Sequence, residues 1–237
     1  MMDIDQIKGK GYADEKLGYL KFINDSLIQF GGRDSCVFYL SADTLITKDD
    51  YWEFSSKGEK YIVKRNTYHI LKFTKDSISF ENVFKNPYDY KEEKDTLRFI
   101  SISKLKKPVD DFISIHLELF APFGGAWIIH VNSNSKIIYR WKAFENFTDP
   151  YGKKEKKNYK GKLSVEEMER FRNILSESLY WRMPKERECP GMDEPYSTIE
   201  IREKGKIYES KGCMFNDVNA RLISYLLGLD NNKGFIR

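Results

Sequence analysis

The feature that most constrains this chain is an echo. Leu20-Lys21-Phe22-Ile23-Asn24-Asp25-Ser26-Leu27-Ile28-Gln29-Phe30 recurs as Leu71-Lys72-Phe73-Thr74-Lys75-Asp76-Ser77-Ile78-Ser79-Phe80. Weaker copies of its turn are Leu40-Ser41-Ala42-Asp43-Thr44-Leu45 and Lys94-Asp95-Thr96-Leu97. In each copy an alternating apolar run meets Asp-Ser or Asp-Thr and resumes as a second alternating run. Asp and Ser side chains bond the backbone two residues on, which closes a tight turn. Apolar residues two apart give strands with one buried face. Residues 12–104 therefore read as an antiparallel meander of about seven or eight short strands. Aromatic residues make up 15% of the chain, and their width suits half-buried strands.

The stretch Tyr68-His69-Ile70-Leu71-Lys72-Phe73-Thr74-Lys75-Asp76-Ser77-Ile78-Ser79-Phe80 resembles the late strands of short bacterial lipocalin-like domains, with a Tyr-x-Ile strand and an Asp-Ser turn into the next one. The resemblance implies a small barrel or curved sheet and no particular activity. The Gly-x-Trp of lipocalins is not matched, because Gly18-Tyr19-Leu20 has leucine in its place. A closed and an incomplete barrel are both open on that ground.

Pro108-Val109-Asp110-Asp111 breaks the pattern and divides the chain into a meander, 1–107, and a second part, 108–237. In the second part Phe112 to Ala121 alternates, with Ile113, Ile115, Leu117 and Leu119 assigned to one face. Pro122-Phe123-Gly124-Gly125 turns it into a return strand from Ala126 to Val131, and Asn132-Ser133-Asn134-Ser135 turns again into Lys136 to Phe144. Glu145 to Lys162 is polar and lysine-rich and reads as a long exposed loop. Ser164-Val165-Glu166-Glu167 has the form of a capping box, ahead of Met168, Phe171, Leu175 and Leu179 on one helical face. A hairpin turning at Lys204-Gly205 and a final helix carrying Val218, Leu222, Tyr225, Leu226 and Leu229 follow. The fold class is therefore α+β, an antiparallel meander followed by an antiparallel sheet covered by two helices. The ββαββα order of the second part resembles a module of small bacterial inhibitor-like proteins, which implies an architecture and not a function.

Forty basic and 36 acidic side chains leave a net charge of only +4, so a nucleic-acid coat over the whole surface is excluded and nucleic acid is not the expected partner. No apolar run approaches the ~20 residues of a membrane span. The opening Met1-Met2-Asp3-Ile4-Asp5 is not a secretory signal, which points to the cytoplasm unless an upstream signal was removed and the protein belongs to the envelope or exterior. Cys36, Cys189 and Cys213 lack zinc-site spacing, although Cys189 and Cys213 flank a hairpin and one bridge is conceivable.

If the Pro122–Gly125 turn centres near Phe123, His116 and His130 stand opposite each other, with Glu118 on the same face. Two imidazoles and a carboxylate are a zinc-type set, so these three are the metal candidates, weighed against a merely polar outer face. No Gly-x-Ser-x-Gly elbow, phosphate loop or dinucleotide fingerprint is present, and no cofactor is implied. Tyr, Trp and Arg dominate interface hot spots, which makes Trp141, Tyr151, Trp181 and Arg182 the candidate binding residues. The expected function is non-catalytic: a protein-interaction module of inhibitor or immunity type. A binder of a small apolar ligand inside the meander, and a metal-dependent enzyme at His116, Glu118 and His130, are the alternatives.

Overall fold

Both full copies of the echo are hairpins, and in each a polar side chain ahead of the Asp-Ser pair makes the turn. The structure is a computed structural model and describes residues 4–30, 35–55, 58–85, 92–122, 125–143, 156–189, 194–213, 217–231 and 235–236. Strand β1 is Gly11–Ala13, β2 Tyr19–Phe22 and β3 Leu27–Phe30. Between β2 and β3, Asn24 Oδ1 accepts from the backbone N–H groups of Ser26 and Leu27 at 2.9 and 2.8 Å. Strand β4 is Cys36–Ser41, β5 Thr44–Ser55, β6 Gly58–Phe73, β7 Ser77–Lys85 and β8 Glu92–Ser101. Thr74 Oγ1 does for β6 and β7 what Asn24 does for the earlier pair, accepting from Ser77 N at 2.9 Å.

The third copy closes β4 onto β5 through Ala42-Asp43, with Ala42 at φ 53°. A two-residue hairpin loop takes positive φ because that twist matches the strands it joins. The fourth copy is not a turn. Asp95 and Thr96 lie inside β8, opposite Asn82 and Glu81 of β7, in a ladder that runs through them without a break.

Strand β1 pairs with both β2 and β8, so among the described residues eight antiparallel strands close into a barrel in sequence order. Closure leaves no free edge. Among the described residues its interior is packed with side chains: Tyr12, Leu20, Phe22, Ile28, Leu45 and Phe80 are each 0% exposed. Leu20, in place of the absent tryptophan, is part of that core. Phe30 stacks on Tyr68 with ring centroids 5.0 Å apart, and Phe22 meets Phe38 edge-on at 5.3 Å. A short helix, α1 (Ile102–Leu105), ends the unit. The chain divides into two compact units, Met1–Leu105 and Lys106–Arg237.

The second unit has strands β9 (Phe112–Ala121), β10 (Gly125–Asn132), β11 (Lys136–Lys142), β12 (Lys156–Leu163), β13 (Tyr196–Glu203), β14 (Lys206–Gly212) and β15 (Phe235–Ile236). Their order in the sheet is β14-β13-β9-β10-β11-β12-β15. Two helices, α2 (Val165–Glu177) and α3 (Asp217–Leu227), pack on one face. Phe171, Leu175, Leu222 and Leu226 there meet Ile115, Leu117, Ile129, Ile199 and Ile201 of the strands. Ser164 caps α2 by accepting from Glu167 N at 3.2 Å. The Glu167 carboxylate accepts instead from the Tyr225 hydroxyl at 2.9 Å, which ties α2 to α3.

Two expectations for this unit are corrected. The end of the lysine-rich stretch is strand and not loop: Lys156–Leu163 is β12, held by β11 in a continuous ladder from Lys136↔Lys162 to Lys142↔Lys156, while 145–155 lies outside the described residues. Ile113 is not on the packed face. It is 46% exposed, because the pairing with β13 shifts register beside it and turns Phe112 inward.

Candidate binding surfaces of the second unit

Alternation along each strand puts one set of side chains against the helices and the other set on the opposite face, which no described helix of this unit covers. On that face His130 and His116 are direct partners across β9 and β10, as the turn centred near Phe123 requires. Their ring centroids are 6.0 Å apart. Glu200 of β13 is the next residue in the same row, and Glu118 stands one row away. His116 Nε2 and Glu118 Oε1 are 3.1 Å apart, so the carboxylate closes on the imidazole itself. Among the described residues no group of three or more His, Cys, Asp or Glu side chains is arranged to hold a metal ion.

The electrostatics of this cluster follow from its neighbours. Burial, then the positive potential of His116 and Arg202, holds the His130 imidazole below its ordinary pKa, against the opposing pull of Glu200. Arg202 Nε donates to Glu200 Oε1 at 2.7 Å, and that bond holds the Glu200 carboxyl below its usual range. The cluster is thus one Arg202–Glu200 ion pair beside a His130 imidazole that resists a proton.

Next to it the uncovered face turns apolar. Tyr196 lies directly opposite Phe120, and Ile128 is diagonal to Phe120 across β9 and β10. Opposed and diagonal side chains on one sheet face are ~5 and ~7–8 Å apart, within mutual reach. Phe120 is 48%, Tyr196 46% and Ile128 37% exposed.

The other predicted binding residues do not form one patch. Trp141 is partly buried on the helix-covered side, its ring 6.1 Å from that of Trp127 and 5.6 Å from Lys157 Nζ. Trp181 belongs to a 3-10 turn, Tyr180–Arg182, at the β14 end of the sheet, where Arg182 is exposed. β11 and β14 are separated by four strand spacings, roughly 19 Å. Tyr151 lies outside the described residues.

Around Trp181 the structure assembles a cluster that local sequence patterns did not predict. Lys107 Nζ sits 5.0 to 5.1 Å from the ring centroids of Tyr180, Trp181 and Tyr208. It donates to Glu203 Oε2 at 3.0 Å and to the Tyr208 hydroxyl at 3.2 Å, while the Tyr180 hydroxyl donates to the other Glu203 oxygen. Burial pulls the lysine pKa down, but Glu203 and Tyr208 outweigh it and the pKa is raised. The cation thus stays charged, held by two acceptors and three aromatic rings. A groove of about 680 Å³ opens beside it, lined by Trp181, Met183, Ile207 and Tyr208 with Glu186 and Lys211.

A strap after the 3-10 turn guards the β14 edge. Lys211 N donates to Lys185 O at 2.8 Å and Arg187 N to Lys211 O at 2.7 Å. Arg187 reaches in to donate to Ser210 Oγ at 2.7 Å and Gly212 O at 3.1 Å, and burial lowers its pKa to about 10. Cys189 and Cys213 form a disulfide at the same place. Gly212 is required there: it has φ 131°, and a Cβ on it would lie 2.3 Å from Arg187 O. Added pairing on an otherwise open strand suppresses edge-to-edge association.

No helix among the described residues is long and apolar enough to cross a membrane. Comparison with protein-family models, with curated proteins and with solved structures finds no match to this chain.

Proposed function

We propose that the protein is a binding module without a catalytic role, of the inhibitor or immunity type, and that it engages another protein through the uncovered face of its seven-stranded sheet. One observation carries this reading: Phe120, Tyr196 and Ile128 form a contiguous, half-exposed apolar end of that face. An antiparallel sheet with one packed side ordinarily turns polar residues outward. Apolar side chains scattered singly on a surface need no explanation, whereas a contiguous set marks an interaction surface. The ion pairs of Glu200 and Arg202 and the His116–Glu118 contact border the patch as the polar rim of an interface does.

The described core of the first unit bears on the alternative of an apolar ligand. We read it as a lipocalin-like barrel, on its strand number and sequential strand order. Among the described residues its interior is taken up by Phe, Tyr, Leu and Ile side chains, which favours a structural core over a ligand cavity. The Cys189–Cys213 bridge supports residence in an oxidising compartment.

The test is a photo-crosslinking side chain at position 128, used in the source organism. The captured protein is then purified and mixed with the wild-type chain and with Phe120→Glu. A stoichiometric complex that Phe120→Glu abolishes is the expected result. A complex that is insensitive to Phe120→Glu, or none at all, overturns the reading.

A further inference from the structure

The β11–β12 half of the same uncovered face has a chemistry of its own. Lys136, Ile138, Arg140 and Lys142 of β11 point to it, with Asn158, Lys160 and Lys162 of β12 beside them. Lys136, Arg140, Lys142, Lys160 and Lys162 are all exposed. Neither strand contains a single Asp or Glu, and neither does β10, the next strand in the sheet. Among the described residues no ion pair joins these five cations.

The register makes the arrangement costly for the free protein. Lys136 is directly opposite Lys162, and Lys160, opposite Ile138, is diagonal to Lys136. Like charges opposed across a ladder are destabilising. The tyrosines and the tryptophan that share these strands, Tyr139, Trp141 and Tyr159, belong to the alternate set, on the helix-covered side. A strip that binds single-stranded nucleic acid interleaves its cations with aromatic stacking platforms. This strip has aliphatic Ile138, and Ile128 on the neighbouring strand, in those places.

We infer that the β11–β12 strip is the docking site for an acidic segment of a protein partner, in extended conformation, with its carboxylates over the cations and its apolar residues over Ile138 and Ile128. This deepens the reading of the uncovered face given above and rests on it. The repeat supports the fit. Cations two residues apart along a strand are ~6.8 Å apart, the same spacing that an extended peptide gives to its alternate side chains. Acidic residues on the partner relieve the Lys–Lys repulsion that the free sheet holds.

The experiment measures binding of fluorescein-labelled deca-glutamate to the intact protein by anisotropy at low salt. Oligothymidylate of equal charge and phosphatidylserine vesicles are the comparators. The double substitution Lys160→Glu with Lys162→Glu is set against Lys72→Glu with Lys75→Glu, two exposed lysines of the first unit. Circular dichroism confirms that each variant folds. The strip variant is expected to lose about tenfold or more of the deca-glutamate affinity and the control to stay within about twofold, with binding that weakens as salt rises. Equal loss in both variants, no binding of deca-glutamate, or tighter strip-dependent binding of oligothymidylate or vesicles overturns the inference. The reading of the face as a protein-binding surface fails separately, by the Phe120→Glu test, in which the strip is left unchanged.

Discussion

The first unit curls eight strands until they meet, and one set of side chains fills the space inside. The second lays seven strands out and covers one side with helices. The difference lies in what each leaves over. In the barrel every strand pairs on both sides and the inward residues make a core rich in aromatics that meet edge-on, from Phe22 and Phe38 to Phe80 and Phe99. In the sheet the packed side holds Phe171, Leu175 and Leu222, while the other side, which no described helix of this unit covers, carries both an apolar end and a cationic strip. A closed barrel uses its alternation once, for stability. An open sheet can use the two halves of its alternation for two purposes.

The largest way to break this comparison is to empty each core. Phe80→Ala in the barrel and Phe171→Ala in the sheet unit are each expected to cost ~3–5 kcal/mol in urea unfolding, since both side chains are fully buried. Phe120→Ala, the same change at a half-exposed position of the opposite face, is expected to cost about 1 kcal/mol, well below either core change. A large cost at Phe120 would mean that this face is packed in solution.

The strap at β14 gives the next effect. Replacing Cys213 with Ser opens a bridge that spans 24 residues, and the expected loss is ~2–4 kcal/mol by denaturant titration. No change with reductant or substitution would show that the hydrogen bonds of Arg187 hold the strap alone.

A pH series sharpens the account of the histidine row. His130 is held below its ordinary pKa of 6.5, so the fold resists the proton that the unfolded chain takes up. The neutral imidazole costs nothing above that pH. As pH falls through 6.5 toward the lower folded value, stability is lost, and it levels off below. His130→Gln is expected to flatten that part of the stability profile. An unchanged profile would remove His130 from the account.

The smallest effect has the opposite sign. Lys162→Glu turns the repulsive pair with Lys136 into an attractive one and is expected to raise stability by ~0.2–1 kcal/mol while weakening deca-glutamate binding. A residue that stabilises when replaced is typical of a surface kept for function.

Most of the strand order was legible because turn chemistry and period-two alternation are local. The hairpins at Asn24 and Thr74, the Ser164 cap and the His116–His130 pairing all follow from residues within a few positions of a turn or helix start. Strand β12 was hidden because its inward set, Lys157, Tyr159, Gly161 and Leu163, has too few apolar members to show a period, so its lysines looked like a solvated loop. Knowing its partner β11 restores the pattern. The Asp95-Thr96 segment matched the turn motif, but the ladder to β7 outweighs a local preference for turning. The Lys107 cluster joins residues 107, 180, 181, 203 and 208, which no window of sequence holds together. For the candidate surfaces, the sequence marked Trp141, Trp181 and Arg182, which the structure places apart, and did not mark Phe120, Tyr196 and Ile128, which lie together. Which of them share a face depended on register and on one bulge.

The most direct measurement places the same photo-crosslinking side chain at position 128, on the uncovered sheet face, and at position 39, on the outside of the barrel, where Tyr39 is 42% exposed. The account predicts a discrete protein adduct from position 128, absent from position 39 and lost when Phe120→Glu is added. The same adducts from both positions, or none from position 128, would contradict it.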